Sequence, residues 1–219
     1  MKYRTLLMIA CVLFVGLAGM TVAGVSGQNQ AASRALLRAV QLTDAEAANI
    51  LYMRQEEKLA RDVYLTLYEQ WDAAIFANIS ESEQQHMDAV KKLITMYGLE
   101  DPIVDDTVGQ FADPVFAVLY QEFVTDGSTS LLDALNVGVA IEQQDIDDLN
   151  AALEETTMRN VTRVFRSLLR GSTRHLAAFE KCIETCDTDC ICPGDGTCLQ
   201  DPAQDQDQDQ NRDMTCQDV

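Results

Sequence analysis

Ser80-Glu81-Ser82-Glu83-Gln84-Gln85-His86 holds one of only two histidines in this 219-residue chain. A helix through this stretch sets Glu83 and His86 three residues apart, so carboxylate and imidazole project from one face. Helical bundles that hold metals in their interior present ligands with this Glu-x-x-His step. The second histidine, His175, lies in another stretch of helical spacing, Arg170-Gly171-Ser172-Thr173-Arg174-His175-Leu176. A buried metal site built across helices is the first hypothesis the sequence raises.

The surroundings read as long helices. Thr43-Asp44-Ala45-Glu46 is a capping-box signature, and apolar spacing from Ala45 to about Trp71 predicts a first helix. A second is expected to start at Ile79-Ser80, with Ser80 and Glu83 as a further capping box, and to stop at Tyr97 before Gly98. A long connection from Leu99 to about Ser128 follows, in which Pro114 opens a short helix to Val124. The third helix should run over about 129–155 and the fourth over about 157–184. So few residues separate these last two that they must be antiparallel neighbours, whereas the connection between the second and third is long enough to span the molecule. Two hairpins joined by one crossover predict an all-α, up-down four-helix bundle of ferritin-like arrangement over residues 43–184.

Both ends of the chain differ from this domain. Residues 1–30 carry Lys2 and Arg4, an apolar run from Leu6 to about Val25, and then Gln28-Asn29-Gln30. That pattern predicts a secretory signal peptide, or an uncleaved N-terminal anchor, and so an exported domain, extracellular or held on the outer face of a membrane. The formal charge of −19 repels phosphate backbones and anionic headgroups, which argues against nucleic acid as a partner. Apart from Cys11, every cysteine (Cys182, Cys186, Cys190, Cys192, Cys198 and Cys216) lies near the C-terminus, with no Cys-x-x-Cys pair. In an oxidising compartment an even cluster of this kind reads as a disulfide-stapled segment. Residues 185–219, with their Asp-Gln repeat, are therefore expected to form an irregular, acidic, Cys-rich tail outside the core.

The Glu-x-x-His step gains weight from its company. The first helix carries Glu56-Glu57-Lys58-Leu59-Ala60-Arg61-Asp62-Val63-Tyr64, and the third carries Ile141-Glu142-Gln143-Gln144-Asp145-Ile146. Each long helix thus offers a candidate ligand near its middle. Oxygen ligands suit hard metal ions such as iron and manganese, and carboxylates that bridge two ions offset their repulsion. These stretches, with Gly171-Ser172-Thr173-Arg174-His175-Leu176-Ala177-Ala178-Phe179, resemble the ferritin-like superfamily, in particular the erythrin-type di-iron proteins. More narrowly, they resemble a prokaryotic family of uncharacterised ferritin-like domains known as DUF2202. The resemblance implies two iron ions, with manganese as the alternative, held by Glu57, Glu83, His86, Glu142, Asp145 and His175. It matches Glu57, Ala60 and Tyr64 to the first-helix pattern; Tyr64 itself reads as a core tyrosine whose hydroxyl needs a partner, which Glu57 is expected to supply. It also exposes a departure, because Ser172 stands where the fourth helix normally has a ligand Glu.

Plainer readings accompany these. The Glu56 side chain is expected in solvent, Arg61 and Asp62 as an ordinary surface pair, and Glu83 is open to reading as a capping acid. Gly171, costly inside a helix, suggests close helix approach or a local bulge near His175. The expected function is a dinuclear centre with oxidase, ferroxidase or peroxidase activity, dioxygen or peroxide as substrate and an external electron donor; a homodimer is compatible with this. The rival is a non-catalytic exported scaffold or metal-binding module acting through its tail.

Overall fold

The computed structural model describes residues 42–185 together with two short strands, β1 (Cys190–Ile191) and β2 (Leu199–Gln200). The expected leader and the Asp-Gln repeat lie outside the described residues, as do Cys186, Cys192, Cys198 and Cys216 of the six cysteines expected to form disulfides. Five helices make up the body: α1 (Asp44–Trp71), α2 (Ala74–Tyr97), α3 (Pro114–Gly127), α4 (Leu131–Glu155) and α5 (Arg159–Thr185). The strands pair antiparallel, Cys190 opposite Gln200 and Ile191 opposite Leu199, a small regular element where an irregular tail was expected.

The first capping box is present as read. Thr43 accepts from the Glu46 amide, and the Glu46 carboxylate takes the Thr43 amide in return. The other oxygen of Glu46 accepts from the Thr157 and Met158 amides, so one carboxylate caps α1 and pins the turn between α4 and α5. Burial opposes charge there, yet these backbone donors hold the Glu46 carboxyl down at about 2.

The second capping box does not form. The α2 helix begins at Ala74, and Ser80, inside it, gives its hydroxyl to the Ala77 carbonyl. Phe76 and Ile79 explain the earlier start: both are buried, and the area they remove from water outweighs an N-terminus without a side-chain cap. Pro114 opens α3 as expected, with Asp113 as its cap, and Gly98 ends α2 in the left-handed conformation at φ 65°.

Two apolar clusters occupy opposite ends of the molecule. One joins Leu59, Val63 and Leu67 of α1, Phe76 and Ile79 of α2, Phe116, Leu119 and Phe123 of α3, Leu135 and Ile141 of α4, and Phe179 of α5. The other joins Ile50 and Met53 of α1, Val90 and Leu93 of α2, Leu149 of α4, and Val161, Phe165 and Leu168 of α5. The shared ends make α1 antiparallel to α2 and α4 antiparallel to α5, with the crossover leaving α2 and α4 pointing the same way. The α1–α2 and α4–α5 hairpins pack through α1 against α4 and α2 against α5, while α3 covers α1 and α4. Between the clusters, each long helix has an interval without core apolar residues, and all the candidate ligands fall in those intervals.

Candidate metal centre

Three of the buried side chains between the apolar ends come from the expected helix pairs: Glu83 from α2, Glu142 from α4 and His175 from α5. Glu83 occupies the middle. Its Oε2 lies 2.7 Å from His86 Nδ1, and its Oε1 lies 2.8 Å from His175 Nδ1. Glu57 Oε2 is 3.1 Å from the same nitrogen of His86, and Glu142 Oε2 is 3.5 Å from that of His175. Two triads result, Glu57–Glu83–His86 and Glu83–Glu142–His175, each with its ligand atoms within 4.8 Å of one another. Glu83 is common to both, and the two imidazoles stack with ring centroids 5.5 Å apart.

Neighbouring groups fix the ligand orientations. His175 Nε2 lies 2.9 Å from Ser82 Oγ, so an Nε2–H donated to that hydroxyl leaves the Nδ1 lone pair facing the acids. The ring of His86 rests on the backbone of Gly171, where a Cβ would collide with it. Gly171 therefore marks the close helix approach that its cost inside a helix suggested. Gly138 does the same for Phe179, whose ring would lie 2.6 Å from an added Cβ.

Tyr64 is placed differently from the expectation. Its hydroxyl donates to Glu142 Oε1 at 2.7 Å rather than holding Glu57. Glu57 lies seven residues back on the same helix, about 10 Å along the axis, so only a residue of a facing helix comes within reach. Asp145 takes a short hydrogen bond from Ser172 Oγ. The serine standing where a ligand Glu was expected thus holds the extra aspartate, and Asp145 belongs to neither triad.

Glu56 is also a correction. It is only 4% exposed, not solvated, because α1 has neighbours on several sides and buries adjacent positions of its circumference. Its surroundings are acidic: burial first, then Asp145 and Asp148, hold its carboxyl well above the ordinary range. Arg61 and Asp62, expected on the surface, are buried as well. Asp62 takes Lys58 Nζ and both Arg61 Nε and Nη2, while Arg61 also reaches Asp106 Oδ1 at 2.8 Å and Gln84 Oε1 at 2.6 Å. The crossover closes over them, with the Gly109 amide donating to Asp62 and Lys58 donating to the Thr107 carbonyl. Sequence spacing carried no signal for these roles or for Ser82, since each depends on what another helix or loop places opposite.

The electrostatics of the centre follow from crowding. Burial and the charges of Asp145 and Glu83 hold Glu57 well above the usual carboxylate range. Burial and Glu83 push Glu142 up to about 8, against the pull of His175. Burial pushes Asp145 up to about 7, with the Ser172 hydrogen bond opposing and Glu83 adding. Burial also works against charge on Glu83, yet His175 and His86 hold it far below its ordinary value. On His175 burial is overcome by Glu142 and Glu83, which raise it to about 9. Five buried acids, Glu56, Glu57, Glu83, Glu142 and Asp145, surround two imidazoles, so positive charge is in deficit.

The residues fit a metal. Glu57 Oε1, Glu83 Oε1, Asp145 Oδ1 and His175 Nδ1 are buried without a hydrogen-bond partner, although Glu83 Oε1 and His175 Nδ1 are only 2.8 Å apart. Lone pairs buried this way are costly unless something positive accepts them. Carboxylate and imidazole donors together suit iron, manganese or zinc.

Residues 46–189 match the family described as "Uncharacterized protein domain (DUF2202)". The chain belongs to this family. It is 46% identical over 138 residues to the uncharacterized protein MJ0754 of Methanocaldococcus jannaschii, covering 63% of this chain and 75% of that protein. A crystal structure of the hypothetical protein MJ0754 from Methanococcus jannaschii superposes with a TM-score of 0.66 at 40% identity, covering 74% of this chain and 86% of the other. The fold of this DUF2202 chain is thus a helical bundle with acid and histidine groups that could hold a metal ion. Among the described residues no helix is long and apolar enough to cross a membrane.

Proposed function

We propose that this DUF2202 chain is an exported ferritin-like domain with a dinuclear carboxylate/histidine metal centre, iron by preference, that reacts with dioxygen or peroxide. The observation that carries the reading is Glu83, whose two oxygens each face a different histidine nitrogen, with unpartnered buried acceptors on both sides. A carboxylate so placed suits a bridge between two ions, with Glu57 and His86 serving one and Glu142 and His175 the other. Asp145, held by Ser172, supplies the further negative charge that a fourth-helix Glu would have brought.

Bound ferrous iron would supply the electrons that reduce dioxygen or peroxide. The protein's part is to keep the ligand atoms oriented and the site dry. Tyr64 holds one oxygen of Glu142, Ser82 holds the far nitrogen of His175, and the rings of Tyr64, Phe76 and Phe179 pack together at one side of the centre. His86 and His175 keep 12% and 11% of their side chains exposed against at most 3% for Glu57, Glu83 and Glu142, so the histidine side is the approach for a small oxidant. Electrons for turnover would come from an external donor.

The test is elemental mass spectrometry of protein lacking residues 1–30, loaded anaerobically with ferrous iron, beside a His86→Ala/His175→Ala variant. The expected result is about two ions per chain, lost in the variant. No tightly held metal in the parent protein would overturn the reading. Metal binding without turnover, which the Ser172 substitution favours, is separated by oxygen or peroxide consumption after loading.

A further inference from the structure

Arg159, Arg163, Arg166, Arg170 and Arg174 recur every three or four residues along α5, and all five are exposed. They make a single stripe opposite the buried face formed by Val161, Phe165, Leu168, Ser172 and His175. With Thr162, the first four line an open groove of about 320 Å³. The remaining exposed cations among the described residues are Lys91, Lys92 and Lys181. In a chain of formal charge −19, the exposed positive charge of the described residues is thus concentrated on one helix face. Arginines one turn apart repel and weaken the helix that carries them. None of the five has a carboxylate partner among the described residues.

The segment that follows α5 has the opposite character. Residues 186–219 contain nine aspartates, no glutamate, no lysine and one arginine, Arg212. Asp205, Asp207 and Asp209 alternate with glutamines. In an extended chain, alternate residues recur about every 6.6 Å on one side. The arginines of α5 recur at a rise of about 4.5–6 Å. Pairing of β1 with β2 brings residue 200 back beside residue 190, so about ten residues separate the end of α5 from Asp205. Fully extended, these reach about 33 Å, enough to run back from Thr185 to Arg163 along the helix.

We propose that the Asp-Gln segment of this chain, residues 205–210, folds back and docks on the arginine stripe of α5. Covalent attachment gives the segment an effective concentration in the millimolar range, which outcompetes dilute external anions of similar charge. The consequence is a basic face covered by the chain's own acids at low ionic strength and uncovered by salt. This proposal is independent of any metal at the centre.

The test is arginine modification by phenylglyoxal, read residue by residue by peptide mass spectrometry. The full chain is compared with an Asp205→Asn/Asp207→Asn/Asp209→Asn variant that leaves every cysteine in place, with circular dichroism confirming equal helix content. At low salt Arg163, Arg166 and Arg170 should react about three- to tenfold faster in the variant. In about 1 M NaCl, where screening acts over about 3 Å, the two proteins should react alike. Equal rates at low salt would overturn the proposal. Protection that grows with protein concentration would also overturn it, by placing the segment on a second copy.

Discussion

Lys58, Arg61 and Asp62 on one part of α1, and Glu56 and Glu57 on another, are buried within two turns of each other on opposite terms. In the first group every charge meets its opposite: Lys58 and Arg61 share Asp62, Arg61 reaches Asp106, and Arg54 nearby takes Asp101. In the second group acids crowd acids, although Glu57 also meets His86, and one oxygen each of Glu56 and Glu57 has no partner. A balanced buried network holds the crossover to the bundle and asks for nothing more. An unbalanced one, costly for the bare protein, is the form a site takes when a cation completes it. Burial of charge alone therefore does not separate structure from function; the balance of charge does.

The largest effect that can break this comparison is on the balanced side. Asp62→Ala leaves buried Lys58 without a carboxylate and Arg61 with Asp106 alone, and the expected loss of stability is about 3–5 kcal/mol by denaturant unfolding. Metal stoichiometry of the folded fraction should be unchanged. A loss of metal with stability intact would instead mean that the network serves the site.

The unbalanced side should reveal itself through pH. In the metal-free protein Glu142 and Asp145 titrate at about 8 and 7, above their unfolded values of about 4. The folded state then holds protons that the unfolded chain has released, so this stabilisation is complete below about pH 4 and disappears as pH rises through 7 and 8. His175, raised to about 9 from about 6.5, acts in the same sense and is lost as pH rises through 9. Glu83, depressed, contributes above about pH 4 and is lost only in acid, so it does not counter this trend. The melting temperature of metal-free protein should fall between pH 5 and 9. Metal-loaded protein should hold or gain over the same interval, because its ligands bind deprotonated. Parallel profiles for the two forms would remove the electrostatic distinction between the clusters.

Smaller effects sharpen the geometry. Gly171→Ala favours the helix locally but drives a methyl into the His86 ring, and metal affinity by equilibrium titration should fall about 10-fold with the fold retained. Unchanged affinity would show that the ring has room to shift. Tyr64→Phe removes one hydrogen bond from Glu142, for a cost of about 1–2 kcal/mol in the melting of metal-free protein. A change in metal binding confined to an ion that Glu57 and His86 would hold would contradict the observed partner.

Much of the bundle is readable from local pattern. Helix ends at Thr43, Gly98, Asp113 and Ser130 are set by caps whose chemistry is local, and periodic apolar residues define the long helices between them. The early start of α2 was not readable, because Phe76 and Ile79 override an uncapped end only once the core exists to receive them. Glu57, Glu83, His86, Glu142 and His175 were legible as candidates because helical spacing brings like positions to one level. Glu56 is not, since helical periodicity alone implies a solvent face on α1 that its neighbours in fact cover.

The sequence by itself determined which residues form helices, the hairpin order implied by connection lengths, and the level at which acids and histidines sit. Only the tertiary structure decided that Glu83 faces both histidines, that Tyr64 serves Glu142, that Ser172 holds Asp145, and that Asp62 is a buried anchor. The physical reason is reach: periodicity and capping act within a few residues, whereas these partnerships join side chains from different helices and from the crossover, whose approach depends on how all of them pack.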